Sequence, residues 1–212
     1  PGLPALALHA LPARAPRTAR LDAVLVEDRA GGFLAGEFLL ARGHRRIAFL
    51  GGPKNDARAK DRGAGLREAL RTSGVKLLAE VWAEGWNEEA GRAAGRKLMK
   101  LLAHASGDPG VEQKVSAAKI PCAVFCANDR LASGLYEAAA FAGWQVPGDL
   151  SLVGFDDQEV AAQLRPPLTT VRIDRAEYGR QAAQLVKERL AEPGRPALGF
   201  AVAANFCFSS WC

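Results

Sequence analysis

The sequence predicts an α/β protein in which parallel strands are covered by helices. Short apolar runs alternate along the chain with longer stretches whose apolar residues recur every three to four positions, which is the spacing of an amphipathic helix. Glycine-containing turns separate the two kinds of segment. The chain has 212 residues, of which 49% are hydrophobic and 24% are charged. This composition is typical of a globular protein and suffices for one large domain or two small ones.

The short apolar runs are predicted to be buried strands. One of them is followed directly by Gly51, Gly52 and Pro53, which form a loop at its carboxyl end. Open α/β sheets place ligands beside such glycine-rich loops, so this strand end is a candidate for a site. The predicted strands are Ala5–Leu8, Ala23–Val26, Ile47–Leu50, Glu80–Ala83, Ala123–Cys126, Leu150–Gly154 and Thr169–Ile173.

Helices are predicted between these strands. In the first, Leu34, Phe38 and Ala41 follow an i, i+4, i+7 spacing. Gly43 lies just past this apolar stripe and is expected to end the helix, because glycine readily takes the left-handed conformation. The segment from 104 to 119 has the composition of a loop and is predicted to be an insertion. The later helices are predicted over Asp61–Arg71, Glu88–Leu102, Asp129–Ala142 and Arg175–Leu190.

Charge and cysteine content narrow the class of protein. The net charge is +5, but the basic residues are spread along the chain without interleaved aromatic residues, which indicates solvated faces rather than a nucleic-acid surface. Cys122, Cys126, Cys207 and Cys212 form neither a C-x-x-C pair nor a zinc pattern, so we expect no metal. Because the cysteines suggest no disulfide framework, we expect a reducing, cytoplasmic location. We expect no association with a membrane, since no apolar run is long enough to span one.

Polar and aromatic side chains follow the predicted strands directly. Trp86 comes after the fourth strand, Asn128 and Asp129 come after the fifth, and Asp156 and Asp157 come after the sixth. The carboxyl ends of parallel strands share one edge of a sheet, so we expect these side chains to lie close together.

Arg62, in the helix that follows the Gly51-Gly52 loop, can reach the same edge. An arginine, an amide and carboxylates supply the donors and acceptors that suit the hydroxyls of a sugar or the edge of a base. An indole supplies a flat face for a ring. The sequence therefore predicts a site for a small, polar, cyclic ligand.

Each of these residues also has a purely structural interpretation. Asn128 and either Asp156 or Asp157 precede helices and are equally well explained as N-caps. Trp86 is equally well explained as a partly buried core residue, and Arg62 as a solvated residue or a structural ion pair. Their convergence on one sheet edge is what favours a ligand.

No catalytic residues are predicted. The sequence lacks G-x-S-x-G and H-E-x-x-H patterns, and none of His9, His44 and His104 lies beside a plausible nucleophile. The Gly51-Gly52-Pro53 loop lacks the pattern of a phosphate loop. We therefore predict binding without chemistry: the protein is not an enzyme and needs no cofactor.

Several segments together resemble one known family. They are GHRRIAFLGGP, the arginine and glycine of DRGAGLREAL, GWNEEAGR, AVFCANDRLASGLYEAAAFAGWQVPGDLSLVGFDD and PPLTTVRIDRAEYGRQAAQLV. In this order they resemble the effector-binding core of the LacI/GalR family of bacterial transcription regulators. The resemblance covers most of residues 22–190 and is most specific over 123–171.

The resemblance implies a particular fold. The family has two doubly wound, parallel-sheet subdomains of the periplasmic-binding-protein type, and the chain first crosses between them near Gly43. We expect residues 1–44 and 173–193 to belong to an incomplete first subdomain and residues 45–172 to form the second. Residues 194–212 are expected to be a divergent tail. We also expect the family's N-terminal helix-turn-helix to be absent from the chain.

The resemblance also implies a site. Arg62 would hold hydroxyl or carboxylate oxygens, and Trp86 would stack on the ring of the effector. Asn128 and Asp156 would select the pattern of hydroxyls. The carboxylates expected to support these four residues are Asp28, Asp129 and Asp157.

The function implied is that of the ligand-sensing core of a LacI-type repressor. A sugar or, as a less favoured choice, a purine would bind between the subdomains and change how a homodimer presents its DNA-reading heads. Operator DNA would be contacted only through a helix-turn-helix that this chain lacks. The alternative is a periplasmic sugar-binding protein of a transporter, which shares the fold. The PPLTTV segment, the cysteines and the lack of a signal peptide favour the regulator.

Overall fold

The computed structural model describes residues 6–8, 21–104 and 122–207. Ala5, His9, Cys212 and the predicted insertion from residue 105 onward lie outside these described residues. The helices are α1 (Asp28–Ala41), α2 (Ala57–Thr72), α3 (Glu88–His104), α4 (Asp129–Phe141), α5 (Glu159–Gln163) and α6 (Arg175–Ala191). The strands are β1 (Leu6–Leu8), β2 (Asp22–Val26), β3 (Ile47–Gly51), β4 (Ala79–Trp82), β5 (Cys122–Cys126), β6 (Leu150–Asp156), β7 (Thr169–Ile173), β8 (Gly199–Val202) and β9 (Ala204–Cys207).

The predicted strands all form, and the predicted α/β class is confirmed. Helix α1 ends as expected, with Gly43 at a φ of 84° and its amide bonded to the carbonyl of Leu40 at 3.0 Å. Helix α2 begins four residues earlier than predicted, because the side chain of Asp56 accepts a hydrogen bond from the amide of Arg58 and caps the first turn. Strands β8 and β9 were not predicted.

The larger sheet has the strand order β4-β3-β5-β6-β7-β9. Its strands are parallel except for β9, which runs antiparallel to β7. From β3 the chain passes to β4 on one side and later returns to β5 on the other. The carboxyl ends of β3 and β5 therefore form a switch point, which is where doubly wound sheets open a crevice.

The smaller sheet consists of β1, β2 and β8, all parallel. Asp22, at the start of β2, joins the last part of the chain to this sheet. It accepts hydrogen bonds from Arg189 at 2.8 and 3.0 Å, from Arg195 at 2.9 and 3.1 Å, and from the amide of Leu198 at 2.9 Å. Residues 199–202 and 204–207, in the segment expected to be a divergent tail, thus supply one strand to each sheet.

A row of aromatic rings forms the centre of the larger sheet. Phe49, Phe125 and Phe155 are fully buried on the adjacent strands β3, β5 and β6. Their ring centroids are 5.6 and 6.4 Å apart. This row fills the core beneath the strands whose ends carry the predicted site.

Helices α1 and α2 pack against each other through glycine. A Cβ added at Gly32 would lie 2.0 Å from the carbonyl oxygen of Arg62, so the two backbones touch at this point. The contact places the middle of α2, which carries Arg62, against α1. Among the described residues, no helix is both long and apolar enough to cross a membrane.

Candidate ligand-binding site

A cleft with a volume of about 520 Å³ opens at the carboxyl ends of β3, β5 and β6. Helix α6, on the side of the smaller sheet, closes it: the hydroxyl of Tyr178, one of the lining residues, donates a hydrogen bond to the carbonyl of Val24 at 3.1 Å. The four residues predicted from sequence to contact a ligand all line this cleft: Arg62, Trp86, Asn128 and Asp156.

Arg62 is the most buried of the four, with 3% of its surface exposed. Its Nε donates to Oδ1 of Asp28 at 2.7 Å, and its Nη1 donates to the carbonyl of Ala127 at 2.5 Å and lies 3.2 Å from Oδ1 of Asp156. The guanidinium carbon is 3.7 Å from the centre of the Phe155 ring. Arg62 is therefore not solvated: it is a buried ion pair whose other side forms part of the cleft.

Asp156 is the last residue of β6, where it pairs with Arg172 of β7, and it is partly exposed to the cleft. Its φ of 98° lies in a region that L residues seldom adopt, which turns the chain sharply at the strand end. Its carboxylate accepts from Nε2 of Gln158 at 3.1 Å, and its carbonyl accepts from Nη2 of Arg175 at 2.6 Å. Gln158 is the N-cap residue of α5, so Asp156 is not a helix cap.

Asn128 serves the structural role that the sequence left open. Its Oδ1 accepts from the amide of Leu131 at 2.8 Å and caps α4, while its Nδ2 donates to the carbonyl of Trp86 at 3.0 Å. The side chain is 4% exposed and borders the cleft. Asn128 thus joins two of the loops that form the site.

Trp86 is half-buried and held at several points. Its Nε1 donates to Oδ2 of Asp56 at 3.1 Å, and the guanidinium carbon of Arg58 lies 5.1 Å from its ring. A Cβ at Gly52 would lie 2.6 Å from the ring, so the glycine of the β3 loop is required for the indole to fit. The ring is oriented before any ligand arrives.

Two of the carboxylates predicted to support the site are buried beneath it. Burial raises the pKa of Asp28, and Arg62 opposes this increase through its charge and its hydrogen bond. Burial also raises the pKa of Asp129 to about 7, although Thr170 and the amide of Gln158 both donate to it at 2.6 Å. Neither carboxylate lines the cleft.

Asp157 points elsewhere. Its Oδ2 accepts from Nε of Arg172 at 2.7 Å, in an ion pair that is partly open to solvent. Asp157 has a φ of 51° and does not line the cleft. Its contribution is to the turn after β6 rather than to the surface of the site.

Further described residues line the cleft that sequence reasoning missed. Arg58 lies one helical turn before Arg62, so the i, i+4 spacing in α2 was a usable signal. The others come from segments whose approach depends on the tertiary fold, and nothing in the local pattern indicated them. The missed residues are Arg58, Arg130, Gln158, Ile173, Arg175 and Tyr178.

The side chains that line the cleft are suited to binding a ligand. Guanidinium groups, a carboxylate and amides provide directed hydrogen bonds, and an indole and an isoleucine provide apolar surface. Within the described residues, no cluster of histidine, cysteine and carboxylate side chains is arranged to hold a metal ion. Such a lining suits a small ligand with several hydroxyl groups.

Comparison with known proteins identifies a matching domain family and two related repressors. A family model described as a periplasmic binding protein-like domain matches residues 37–199. The ribose operon repressor of Escherichia coli (strain K12) is 33% identical over 174 residues, which are 81% of this chain and 48% of the repressor. The HTH-type transcriptional repressor PurR of Mannheimia succiniciproducens is 33% identical over 171 residues, which are 80% of this chain and 46% of PurR.

A solved structure extends the similarity to the fold. The crystal structure of a LacI family transcriptional regulator from Enterococcus faecium with bound ribose superposes with a TM-score of 0.76 at 27% identity and covers 97% of this chain and 69% of that one. The chain spans about half the length of the two curated repressors. From the family match, the repressor sequences and the shared fold, we conclude that the chain belongs to the family of periplasmic binding protein-like domains, in the form found in LacI-type transcriptional regulators.

Proposed function

We propose that the chain is the effector-sensing core of a LacI-type transcriptional repressor and that it binds a small, sugar-like effector in the cleft. The observation that carries this proposal is the convergence of Arg62, Asp156 and Trp86 on one cleft between the two sheets. A buried guanidinium beside a partly free carboxylate, next to an oriented indole, matches the donors, acceptors and flat face of a sugar ring.

Each residue has a separate proposed role. Asp156 accepts from two neighbouring hydroxyls, because part of its carboxylate faces the cleft. Arg62 donates to a ring or hydroxyl oxygen while Asp28 holds it in place, and Trp86 lies against the ring. Asn128 contributes chiefly by holding the Trp86 loop. Asp28 and Asp129 act as the supporting shell.

The proposed mechanism is a change in the angle between two subdomains. Residues 1–44 with 173–193 would move relative to residues 45–172, since the cleft is lined both by the larger sheet and by Tyr178, which is bonded to β2. A ligand that contacts both sides stabilises the closed form by its difference in affinity for the two forms. In the full-length regulator, a homodimer would transmit this change to helix-turn-helix segments on operator DNA.

The repressors among the relatives favour a regulator over a transport protein or an enzyme. Cys122 and Cys126 are buried and form no disulfide among the described residues, which supports a reducing, cytoplasmic location. Among ligands, ribose is supported by the ribose operon repressor and by the ribose-bound neighbour, whereas a purine is the second candidate because one relative is PurR.

The test is a calorimetric titration with D-ribose, D-glucose, cellobiose and hypoxanthine. We expect one of the sugars to bind, and we expect Asp156→Asn to weaken that binding by about 2 kcal/mol, or about thirtyfold, since a charged acceptor of two hydroxyls is lost. Asparagine tolerates the positive φ at this position, so the fold is retained.

The matched control is Glu137→Gln, which removes a surface carboxylate paired with Arg92 on the neighbouring helix. We expect it to bind the sugar as tightly as the parent protein. Equal affinity of the parent and of Asp156→Asn would place the sugar outside this cleft. If hypoxanthine is the only compound that binds, the proposed effector is a purine and not a sugar.

A further inference from the structure

The cleft contains more positive than negative charge. Its lining includes the arginines at 58, 62, 130 and 175, whereas the lining residues supply one carboxylate, that of Asp156. A neutral sugar cannot compensate a positive charge. In a cleft made for such a ligand, we therefore expect carboxylates of the protein to balance each arginine. An arginine at the cleft that has no carboxylate partner in the protein therefore indicates a ligand with a negative charge.

Two of the arginines are balanced within the site. Arg62 contacts both Asp28 and Asp156, as described above. Arg58 donates to both carboxylate oxygens of Asp56, at 2.6 and 3.1 Å. Their charges are compensated by carboxylates of the folded chain, and neither is available as an unbalanced cation.

The other two arginines are balanced weakly or not at all. Arg130 lies 3.4 Å from Glu88, with more than half of its side chain exposed, and its Nε donates to the neutral Oε1 of Gln158. Arg175 donates to the neutral carbonyl of Asp156, and among the described residues no carboxylate lies within ion-pair distance of it. Arg175 is thus an unbalanced cation at the cleft.

Both of these side chains are tied to the same loop. Gln158 accepts from Arg130 and donates to the carboxylate of Asp156, whose carbonyl in turn accepts from Arg175. This series of hydrogen bonds holds the two guanidinium groups on the wall of the cleft that also carries the proposed sugar contact. A guanidinium held in this way presents paired donors that fit phosphate or carboxylate oxygens.

We infer that the effector is an anionic sugar, whose ring lies against Asp156 and Trp86 and whose phosphate or carboxylate group contacts Arg175, with Arg130 beside it. This inference rests on the proposed function and adds the charge of the ligand to it. The cleft of about 520 Å³ has room for a ring and a charged substituent.

The test compares neutral and anionic sugars of the same ring. D-ribose is titrated against D-ribose 5-phosphate, and D-glucose against D-glucose 6-phosphate and D-glucuronate, at low and at physiological salt. We expect an anionic member to bind at least about tenfold more tightly than its neutral counterpart, with a preference that decreases as salt increases. The phosphate and carboxylate arms identify which anion is preferred.

Arg175→Gln is the diagnostic variant, because Arg175 is exposed and its loss removes no ion pair of the described residues. We expect it to lower the affinity for the anionic sugar at least about tenfold more than the affinity for the neutral sugar, and so to abolish the anionic preference. Arg180→Gln is the matched control: Arg180 lies on the same helix, pairs with Glu177 and does not line the cleft. We expect it to bind both sugars as the parent does.

The outcomes separate this inference from the proposed function. Equal or tighter binding of the neutral sugars would overturn the inference and leave the proposed function intact. Retention of the anionic preference by Arg175→Gln would also overturn it. If none of the sugars binds, both the inference and the sugar-sensing function are wrong.

Discussion

Asp129 illustrates how a single buried residue couples the site to pH. It is fully buried below the cleft, and a Cβ at Gly154 would lie 2.1 Å from its Oδ1, so the glycine makes room for the carboxylate. Burial raises its pKa from 3.8 to about 7, and the charges of Asp156 and Asp157 act in the same direction. Between pH 3.8 and about pH 7, Asp129 is therefore protonated in the folded protein and ionised in the unfolded chain.

The sign of the pH dependence follows directly. Between the two pKa values the folded state binds more protons, so the contribution of Asp129 to stability is fully present below pH 3.8 and is lost as the pH rises through about 7. We expect the free energy of unfolding of the parent to fall by about 2–3 kcal/mol from pH 5 to pH 8 on account of this group.

Asp129→Asn should remove that part of the pH dependence. Asparagine is neutral at every pH and can still accept from the Gln158 amide, while the Thr170 hydroxyl turns to accept from its amide group. Urea unfolding of both proteins at pH 5, 6, 7 and 8 provides the comparison, in which other titrating groups cancel. If the parent gained stability relative to the variant as the pH rose, the carboxylate would be charged in the fold.

At the level of elements, the packing of α1 on α2 depends on glycine. A Cβ at Gly65 would lie 1.9 Å from the carbonyl oxygen of Arg29 and 2.6 Å from the amide nitrogen of Phe33, and both are backbone atoms that cannot turn aside. We expect Gly65→Ala to lower the free energy of unfolding by about 1–3 kcal/mol, because the helices must move apart. It should also weaken ligand binding, since α2 carries Arg62.

Gly179→Ala is the matched control for this prediction. Gly179 lies in α6, and a Cβ there would meet open space. Alanine should stabilise this helix by about 0.5–1 kcal/mol through its higher helix propensity. Urea unfolding measures both variants. Similar effects of the two substitutions would mean that the helices do not touch at Gly65.

Strand β8 depends on a second element-level contact, the buried pairing of Asp22 with Arg189 and Arg195. Burial disfavours the charged form of Asp22, but hydrogen bonds from Arg189, from the Leu198 amide and from Arg195 outweigh it and lower the pKa of Asp22 to about 2. The carboxylate is therefore ionised at neutral pH, and its hydrogen bonds hold the segment before β8 to the start of β2.

Asp22→Asn should release that segment. Among the described residues, it leaves the buried Arg189 without a carboxylate within ion-pair distance and leaves Arg195 with only Glu188 at 4.0 Å. We expect the melting temperature to fall by about 5 °C or more. Glu177→Gln removes an ion pair with the exposed Arg180 and should leave the melting temperature nearly unchanged. Thermal unfolding followed by circular dichroism decides between them. Equal melting temperatures for parent and Asp22→Asn would show that β8 is held by other contacts.

For the whole molecule, the two sheets differ in how strongly they are enclosed. Strand β5 is buried at every position between β3 and β6, whereas β8 pairs with β2 and exposes Phe200 and Ala201. We expect the amides of Val124 and Phe125 to exchange with deuterium at least about 100-fold more slowly than those of Phe200 and Ala201. Hydrogen exchange read by mass spectrometry measures this. Comparable rates would mean that both sheets unfold together.

The strands and the edge at which the site lies were predictable because they depend on local information. A strand buried in a parallel sheet is apolar over a short run, and the residues after it lie at the carboxyl edge wherever the strand is placed. This reasoning placed Trp86, Asn128 and Asp156 at one edge of the sheet. In the structure these three residues line one cleft together with Arg62, which lies on α2.

The remaining features required the tertiary structure, because they are partnerships between residues far apart in the chain. Arg62 meets Asp28 across 34 positions, and Arg189 meets Asp22 across 167. Whether Asn128 caps a helix, whether Arg175 has a carboxylate partner, and which sheets receive the last strands all depend on such contacts. The sequence alone determined which residues stand at the strand ends. The folded chain decided which of their charges are balanced, since an ion pair depends on distances of a few ångströms that no local pattern encodes.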